Sequence, residues 1–258
     1  MKKYIYKGEN FTLYVGNNID IIPKLNFKNS VIITSPPYNF NRKYDKYKDN
    51  LNYENYLQFL YKTFYTLYKY IEGDTRVIVI LKDDFVNFRF TSYHFYNIMT
   101  KIGYKMYNYF IVESSHISKF TAWGSWCSAS APRVRANFEI IQVYFKKNYK
   151  RRNKGTSTIT SEEFKEYTLA LIKGNDWFIA EINKKEHPAQ FSPVLIDRLI
   201  KLYSYKEDTI IDIFCGIANA GISALRNNRK FIGIDISEEY IKIAYKKLKQ
   251  IENLLFKK

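Results

Sequence analysis

Seven apolar segments rich in β-branched and aromatic residues alternate with stretches of helical periodicity, and this alternation constrains the fold more than any other feature. The β-rich segments are 11–16, 31–34, 76–81, 104–113, 137–145, 209–214 and 230–236. Helical patterns occupy 52–71, 92–102, 192–204 and 236–256. Strands that alternate with helices predict an α/β fold, a mostly parallel sheet with helices on both faces. At 258 residues, with no repeat and no linker between independent halves, the chain reads as a single domain over 1–258. Ser237, followed by Glu238 and Glu239, predicts the start of the last helix: a short polar cap, then acids in its first turn.

Two segments break the rhythm. Residues 114–136 are small, polar and Trp-containing, the composition of a long functional loop. Residues 146–154, KKNYKRRNK, hold six basic residues and no acid. That run is either a solvated face or a loop that grips phosphate. The net charge of +16 favours a polyanionic partner, although a chain rich in Lys, Asn, Ile and Tyr also reflects an AT-rich coding sequence. No apolar run approaches the length of a membrane span, and the basic N-terminus has no apolar core of a secretory signal. The two cysteines, Cys127 and Cys215, have no paired spacing. They suit a reducing cytoplasm and provide no disulfide or zinc framework.

The stretch TIIDIFCGIANAGISALRNNRKFIGIDIS (209–237) reads as strand, turn, helix and strand, with Asp212 and Asp235 near the strand ends. In doubly wound sheets a Gly-containing first turn lets a ligand approach the backbone, and the second acid accepts bonds from ribose hydroxyls. A helix cap is the other reading of either acid. Residues 216–223 nearly spell a phosphate-binding loop, but Ile222 stands where the lysine is required, which excludes ATP or GTP at this turn. One glycine at Gly216, an aromatic at Phe214 and a carboxylate on the next strand suit a nucleoside without phosphates, such as S-adenosylmethionine.

An apolar strand at 31–34 runs into Ser35-Pro36-Pro37-Tyr38. The residue before a proline is held extended, and prolines have no N–H, so this turn presents chiefly carbonyl acceptors. With the Ser35 hydroxyl as a second acceptor and Tyr38 as an aromatic face, it suits a planar ligand bearing an amino group. The other reading is a strand stopped by two prolines, with Tyr38 packed on the core.

Thr34-Ser35-Pro36-Pro37-Tyr38-Asn39 resembles the catalytic motif of S-adenosylmethionine-dependent DNA amino-methyltransferases. DIFCG (212–216) with Asp235 resembles their cofactor motif, and HPAQFSPVLIDRLIKLYS (187–204) the segment that precedes it in the β-class. The order of the three motifs is the circularly permuted β-class order, and the resemblance covers nearly the whole chain. It implies a Rossmann-like methyltransferase fold with a seven-stranded sheet and a compact target-recognition insertion at about 114–186. The chain departs from the family pattern at Ile213, where proline is usual, at Ala218, where a second glycine is usual, and at Asn17, where the family has aspartate.

The resemblance implies S-adenosylmethionine as cofactor, held by Asn17, Thr34, His187, Pro188, Asp212, Phe214, Cys215, Gly216 and Asp235. The catalytic residues would be Ser35, Pro36, Pro37 and Tyr38. Ser35 and the Pro36 carbonyl would accept both hydrogens of the target amine and aim its lone pair at the methyl group, while Tyr38 stacks on a flipped-out base. Double-stranded DNA would be gripped by Arg42, Lys43, Lys46 and Lys48 and by Lys150, Arg151 and Arg152. Serine at the first motif position accompanies N4-cytosine methylation more often in the family, and aspartate N6-adenine. Cytosine is therefore the expected target and adenine the alternative. The resemblance also fits functional pairing with a restriction endonuclease, while the cysteine usage suits the cytoplasm and the apolar and aromatic residues on the helices allow a monomer or a homodimer. A decayed, non-catalytic DNA-binding scaffold and a methyltransferase of RNA or protein amides are the remaining readings. The intact SPPY motif and both acids argue against the first, and Ser35 and the permuted order against the second.

Overall fold

A computed structural model describes residues 5–85, 87–113, 124–132, 138–152, 154–172 and 193–256. In chain order the elements are β1 (Ile5–Lys7), β2 (Phe11–Val15), α1 (Asn18–Ile21), β3 (Ser30–Thr34), α2 (Tyr53–Tyr70), β4 (Arg76–Leu81), α3 (Thr91–Ile102) and β5 (Lys105–Glu113). These are followed by β6 (Phe138–Phe145), α4 (Ser161–Ile172), α5 (Pro193–Tyr203), β7 (Thr209–Asp212), α6 (Asn219–Arg226), β8 (Lys230–Asp235) and α7 (Glu238–Phe256). The strands form one sheet in the order β1-β2-β8-β7-β3-β4-β6-β5. β2, β8, β7, β3 and β4 run parallel, whereas β6 is antiparallel to both β4 and β5.

Eight strands replace the expected seven. The addition is β1, a three-residue edge strand paired antiparallel to β2, too short to leave a periodic signal. All seven predicted strands are present within a residue or two of their expected limits.

Successive residues of the central strands serve opposite faces. Val31, Ile33, Ile78, Ile80 and Ile210 pack with α5, α6 and α7 on one side. Ile32, Val77, Val79, Leu81 and Ile211 pack with α2 and α3 on the other. Burial on both faces explains why these strands are apolar throughout rather than at every second position. Gly221 lets α6 approach the sheet closely: a Cβ there would meet the Phe231 ring at 2.6 Å.

β6 is an inner strand of the sheet, and α4 docks on α5 through Lys201–Glu163 and Arg198–Glu166 ion pairs. None of the described helices is long and apolar enough to cross a membrane.

Topology fixes where the two motifs meet. From β3 the chain goes on to β4 on one side, and from β7 to β8 on the other, while β3 and β7 are themselves neighbours. The crevice beyond their carboxyl ends is the topological switch point, where open α/β sheets bind ligands. Ser35 follows the end of β3, and Asp212 ends β7.

Candidate active site

The catalytic and cofactor motifs are joined directly across the switch point. Thr34 is fully buried, and its hydroxyl donates to Asp212 Oδ1 at 2.7 Å. The Phe214 amide donates to the same oxygen at 3.0 Å. Thr34 therefore acts through Asp212, holding the carboxylate in place, and Asp212 Oδ2 has no hydrogen-bond partner among the described residues. Asp235, at the end of the neighbouring strand, accepts from the Gly216 amide at 2.9 Å through Oδ2 and from the Ser237 amide at 2.8 Å through Oδ1. The turn between them needs left-handed backbone at Gly216 (φ 51°) and at Ala218 (φ 60°). Glycine accepts that conformation without strain, whereas Ala218 carries its Cβ penalty.

Burial pushes the Asp212 carboxyl up to about 7, with the hydrogen bonds from Thr34 and Phe214 partly offsetting it and Asp235 adding to it. Burial likewise pushes Asp235 up to about 6, opposed by the Ser237 and Gly216 amides and assisted by the Asp45 charge. Neither acid forms an ion pair with a described Lys or Arg. Two desolvated carboxylates without a cationic partner, beside a half-buried Phe214 ring, form a site suited to a cationic ligand with a flat aromatic part. The burial of Cys215, at 7% exposed, makes it part of the packing under the turn.

At the catalytic motif the Ser35 hydroxyl donates to the Ile80 carbonyl at 3.0 Å. With its proton directed to β4, the Ser35 oxygen keeps lone pairs for the neighbouring Tyr38 hydroxyl or for a ligand donor. No described group donates to the Pro36 carbonyl, and Pro36 and Pro37 have no N–H to contribute. Tyr38 is buried, with its ring 5.7 Å from Phe40 and its hydroxyl 3.4 Å from Glu139 Oε1 on β6. Burial, and then the Glu139 charge, hold its phenol well above the ordinary tyrosine range, although the hydrogen bond with the Ser35 side chain works the other way. Tyr38 stays protonated at neutral pH and cannot serve as a base.

Sequence reasoning missed the scaffold that shapes the chain after Tyr38. The buried Asp49 carboxylate accepts from the amides of Asn39 at 2.8 Å, Phe40 at 3.0 Å and Arg42 at 3.1 Å. Asn39 and Leu51 exchange two further bonds. A lone Asp in a polar loop carries no periodic signal. Glu139 and the Ile80 carbonyl were equally invisible, because they approach the motif only once the sheet has formed.

The two predicted DNA-binding groups separate. Lys43, Lys46 and Lys48 are exposed beside the catalytic motif, and the Arg42 guanidinium lies 6.0 Å from the Tyr38 ring centre. The 146–154 run, by contrast, follows the end of antiparallel β6 and lies at the amino ends of the parallel strands, away from Ser35. Lys147 and Asn148 bond to the Gly73 carbonyl, Arg151 pairs with Asp208, and the Arg152 amide donates to Asp74 Oδ2 at 2.6 Å. Arg151 and Arg152 thus clamp the lower end of the sheet, and with Lys150 they stand opposite the motif rather than beside it. Asn17 caps α1 by accepting from the Ile19 amide at 3.1 Å, which gives its side chain a structural duty at the expected cofactor position. Its buried neighbour Asn18 donates to the Ile213 carbonyl at 3.4 Å, and its Oδ1 has no partner among the described residues. His187 and Pro188 lie outside the described residues.

A family model described as DNA methylase, of the N6/N4 class, matches residues 30–246. The chain belongs to this DNA methylase family. Among its relatives, the type II methyltransferase M.MjaVI of Methanocaldococcus jannaschii is 36% identical over 160 residues, which span 60% of this chain and 79% of the relative. Two solved structures share the methylase fold. TTHA0409 from Thermus thermophilus, complexed with S-adenosyl-L-methionine, superposes with a TM-score of 0.70 at 18% identity, covering 93% of each chain. The cytosine-N4-specific PvuII DNA methyltransferase superposes at 0.67 with 20% identity, covering 96% of this chain and 93% of its own.

Proposed function

We propose that this DNA methylase transfers the methyl group of S-adenosylmethionine to the exocyclic N4 of a cytosine flipped out of duplex DNA, as the modification arm of a restriction–modification system. The observation that carries the reading is the acceptor pair at the motif: a Ser35 oxygen whose proton is spent on Ile80, next to a Pro36 carbonyl that no described group occupies. Such a pair receives two N–H donors and repels other acceptors. An exocyclic amine is a weak nucleophile because its lone pair is delocalised into the ring. Accepting both hydrogens favours a pyramidal nitrogen with the lone pair directed outward, so catalysis is chiefly positioning.

S-adenosylmethionine supplies the electrophilic methyl on a sulfonium, and its cationic charge suits the site of Asp212 and Asp235. Thr34 and the Phe214 amide hold Asp212, and the Ser237 and Gly216 amides hold Asp235, so both acids are oriented before a ligand arrives. The target base has to leave the duplex to reach Ser35. Tyr38, fixed by Glu139, is the stacking wall, and Lys43, Lys46 and Lys48 on the same rim take phosphates. The choice of cytosine rests on Ser35 at the first motif position. Its test is to express the protein in a bacterial strain without DNA methylation, digest the DNA to nucleosides and weigh them. N4-methylcytosine is the expected product, and N6-methyladenine alone refutes the choice of base.

A further inference from the structure

The segment after the catalytic motif is a hairpin with two different faces. Its base is rigid: Asp49 gathers three amides, and the Asn41 amide donates to the Asp49 carbonyl at 2.6 Å. A Lys43–Lys48 antiparallel bridge closes the stem. At the tip, Ser237 Oγ donates to Asp45 Oδ2 at 2.7 Å, across 192 residues of sequence. The contact lies at the N-terminal cap of α7, two residues after Asp235. Behind the tip, the Tyr47 ring packs 5.8 Å from Phe59, which in turn packs 5.8 Å from Phe214 of the cofactor turn. Lys43, Lys46 and Lys48 are exposed.

We infer that this hairpin is the outer wall of the cofactor pocket, latched by Asp45 onto Ser237, and that DNA bound to its lysines holds the latch shut, so that DNA and cofactor each tighten the binding of the other. The inference rests on the methyltransferase reading of the site. The anchoring is uneven. The base is held by buried carboxylate bonds, but the tip is latched through Asp45, and Asp45 faces the like charge of Asp235. A cationic cofactor beside Asp235 relieves that repulsion and favours the closed tip. Phosphates on the lysines favour it from the other side. Two ligands that stabilise the same conformation are coupled, and the coupling is reciprocal.

The test uses the full-length protein and sinefungin, an S-adenosylmethionine analogue whose ammonium keeps the positive charge near the position of the sulfonium and which has no methyl group to transfer. Its affinity and dissociation rate are measured with and without an unmethylated, PCR-amplified DNA fragment. For the unsubstituted protein, DNA is expected to tighten binding about tenfold. Asp45→Ala is expected to weaken binding about fivefold without DNA, the worth of one hydrogen bond, and to abolish the DNA effect. Replacing Lys43, Lys46 and Lys48 with Ser tests the outer face without touching the latch, and is expected to abolish the DNA effect. Asp45→Ala binding as tightly as the unsubstituted protein, with the DNA effect intact, overturns the latch and leaves the methyltransferase reading standing. Failure of the unsubstituted, folded protein to bind either sinefungin or S-adenosylmethionine overturns both.

Discussion

At the residue scale the proposed function divides the site into groups that would hold the amine and groups that would hold the cofactor, and substitutions separate them. Ser35→Ala removes an acceptor needed only at the reacting nitrogen. Turnover should fall about 100-fold to 1000-fold, by analogy with the loss of one oriented hydrogen-bonding group from an active site, with cofactor affinity nearly intact. Asp235→Ala should do the reverse, and methyl-transfer kinetics alongside a cofactor titration checks both. The two buried acids also set a pH dependence. Their folded values of about 7 for Asp212 and about 6 for Asp235 lie above the ordinary 3.8. Their stabilisation of the cofactor-free protein is therefore complete below 3.8 and disappears as the pH rises through both folded values. A cationic cofactor prefers the ionised acids, so its affinity moves the opposite way. Isothermal titration should show binding about tenfold tighter at pH 8 than at pH 6, with protons released on binding.

At the scale of the elements, the cofactor turn contains a strained residue. Ala218 is fully buried and left-handed at the N-terminal cap of α6. Ala218→Gly should raise stability by about 1 kcal/mol, read from denaturant unfolding, because glycine has no Cβ penalty there. Most of the elements were legible in the sequence because their apolar patterns are long: α2, α3, α5 and the seven longer strands follow from periodicity, and the cap at Ser237 is seen in the Tyr240 amide that bonds its hydroxyl at 3.1 Å. What was not legible is short or depends on tertiary contacts. β1 has three residues, and α4 lies in a stretch whose polar and basic flanks resemble a loop. The link from Thr34 to Asp212 needs the β3–β7 pairing, which no local signal announces. Charge in sequence does not say which end of a sheet the 146–152 run decorates.

For the whole molecule, the parallel strands give two ends with different duties. The carboxyl ends hold the motifs and the lysine-bearing hairpin. The amino ends are closed by Arg151, Arg152 and the fully buried Arg229, which bonds to Ser204, Thr158 and the Asn227 carbonyl. The salt dependence of DNA binding distinguishes the ends. Removing the charge of Lys43, Lys46 or Lys48 should reduce the slope of log affinity against log salt by about 0.9 for every phosphate that is no longer neutralised. Arg151→Ala should leave that slope unchanged while lowering thermal stability. The central claim, that Ser35 presents a base amine to the methyl group, is tested most directly by incubating the purified protein with methyl-labelled S-adenosylmethionine and unmethylated DNA, then identifying the labelled nucleoside. The account predicts N4-methylcytosine from the unsubstituted protein and almost no label from Ser35→Ala at equal cofactor occupancy. Label found only on adenine N6, or a Ser35→Ala protein as active as its parent, would contradict it.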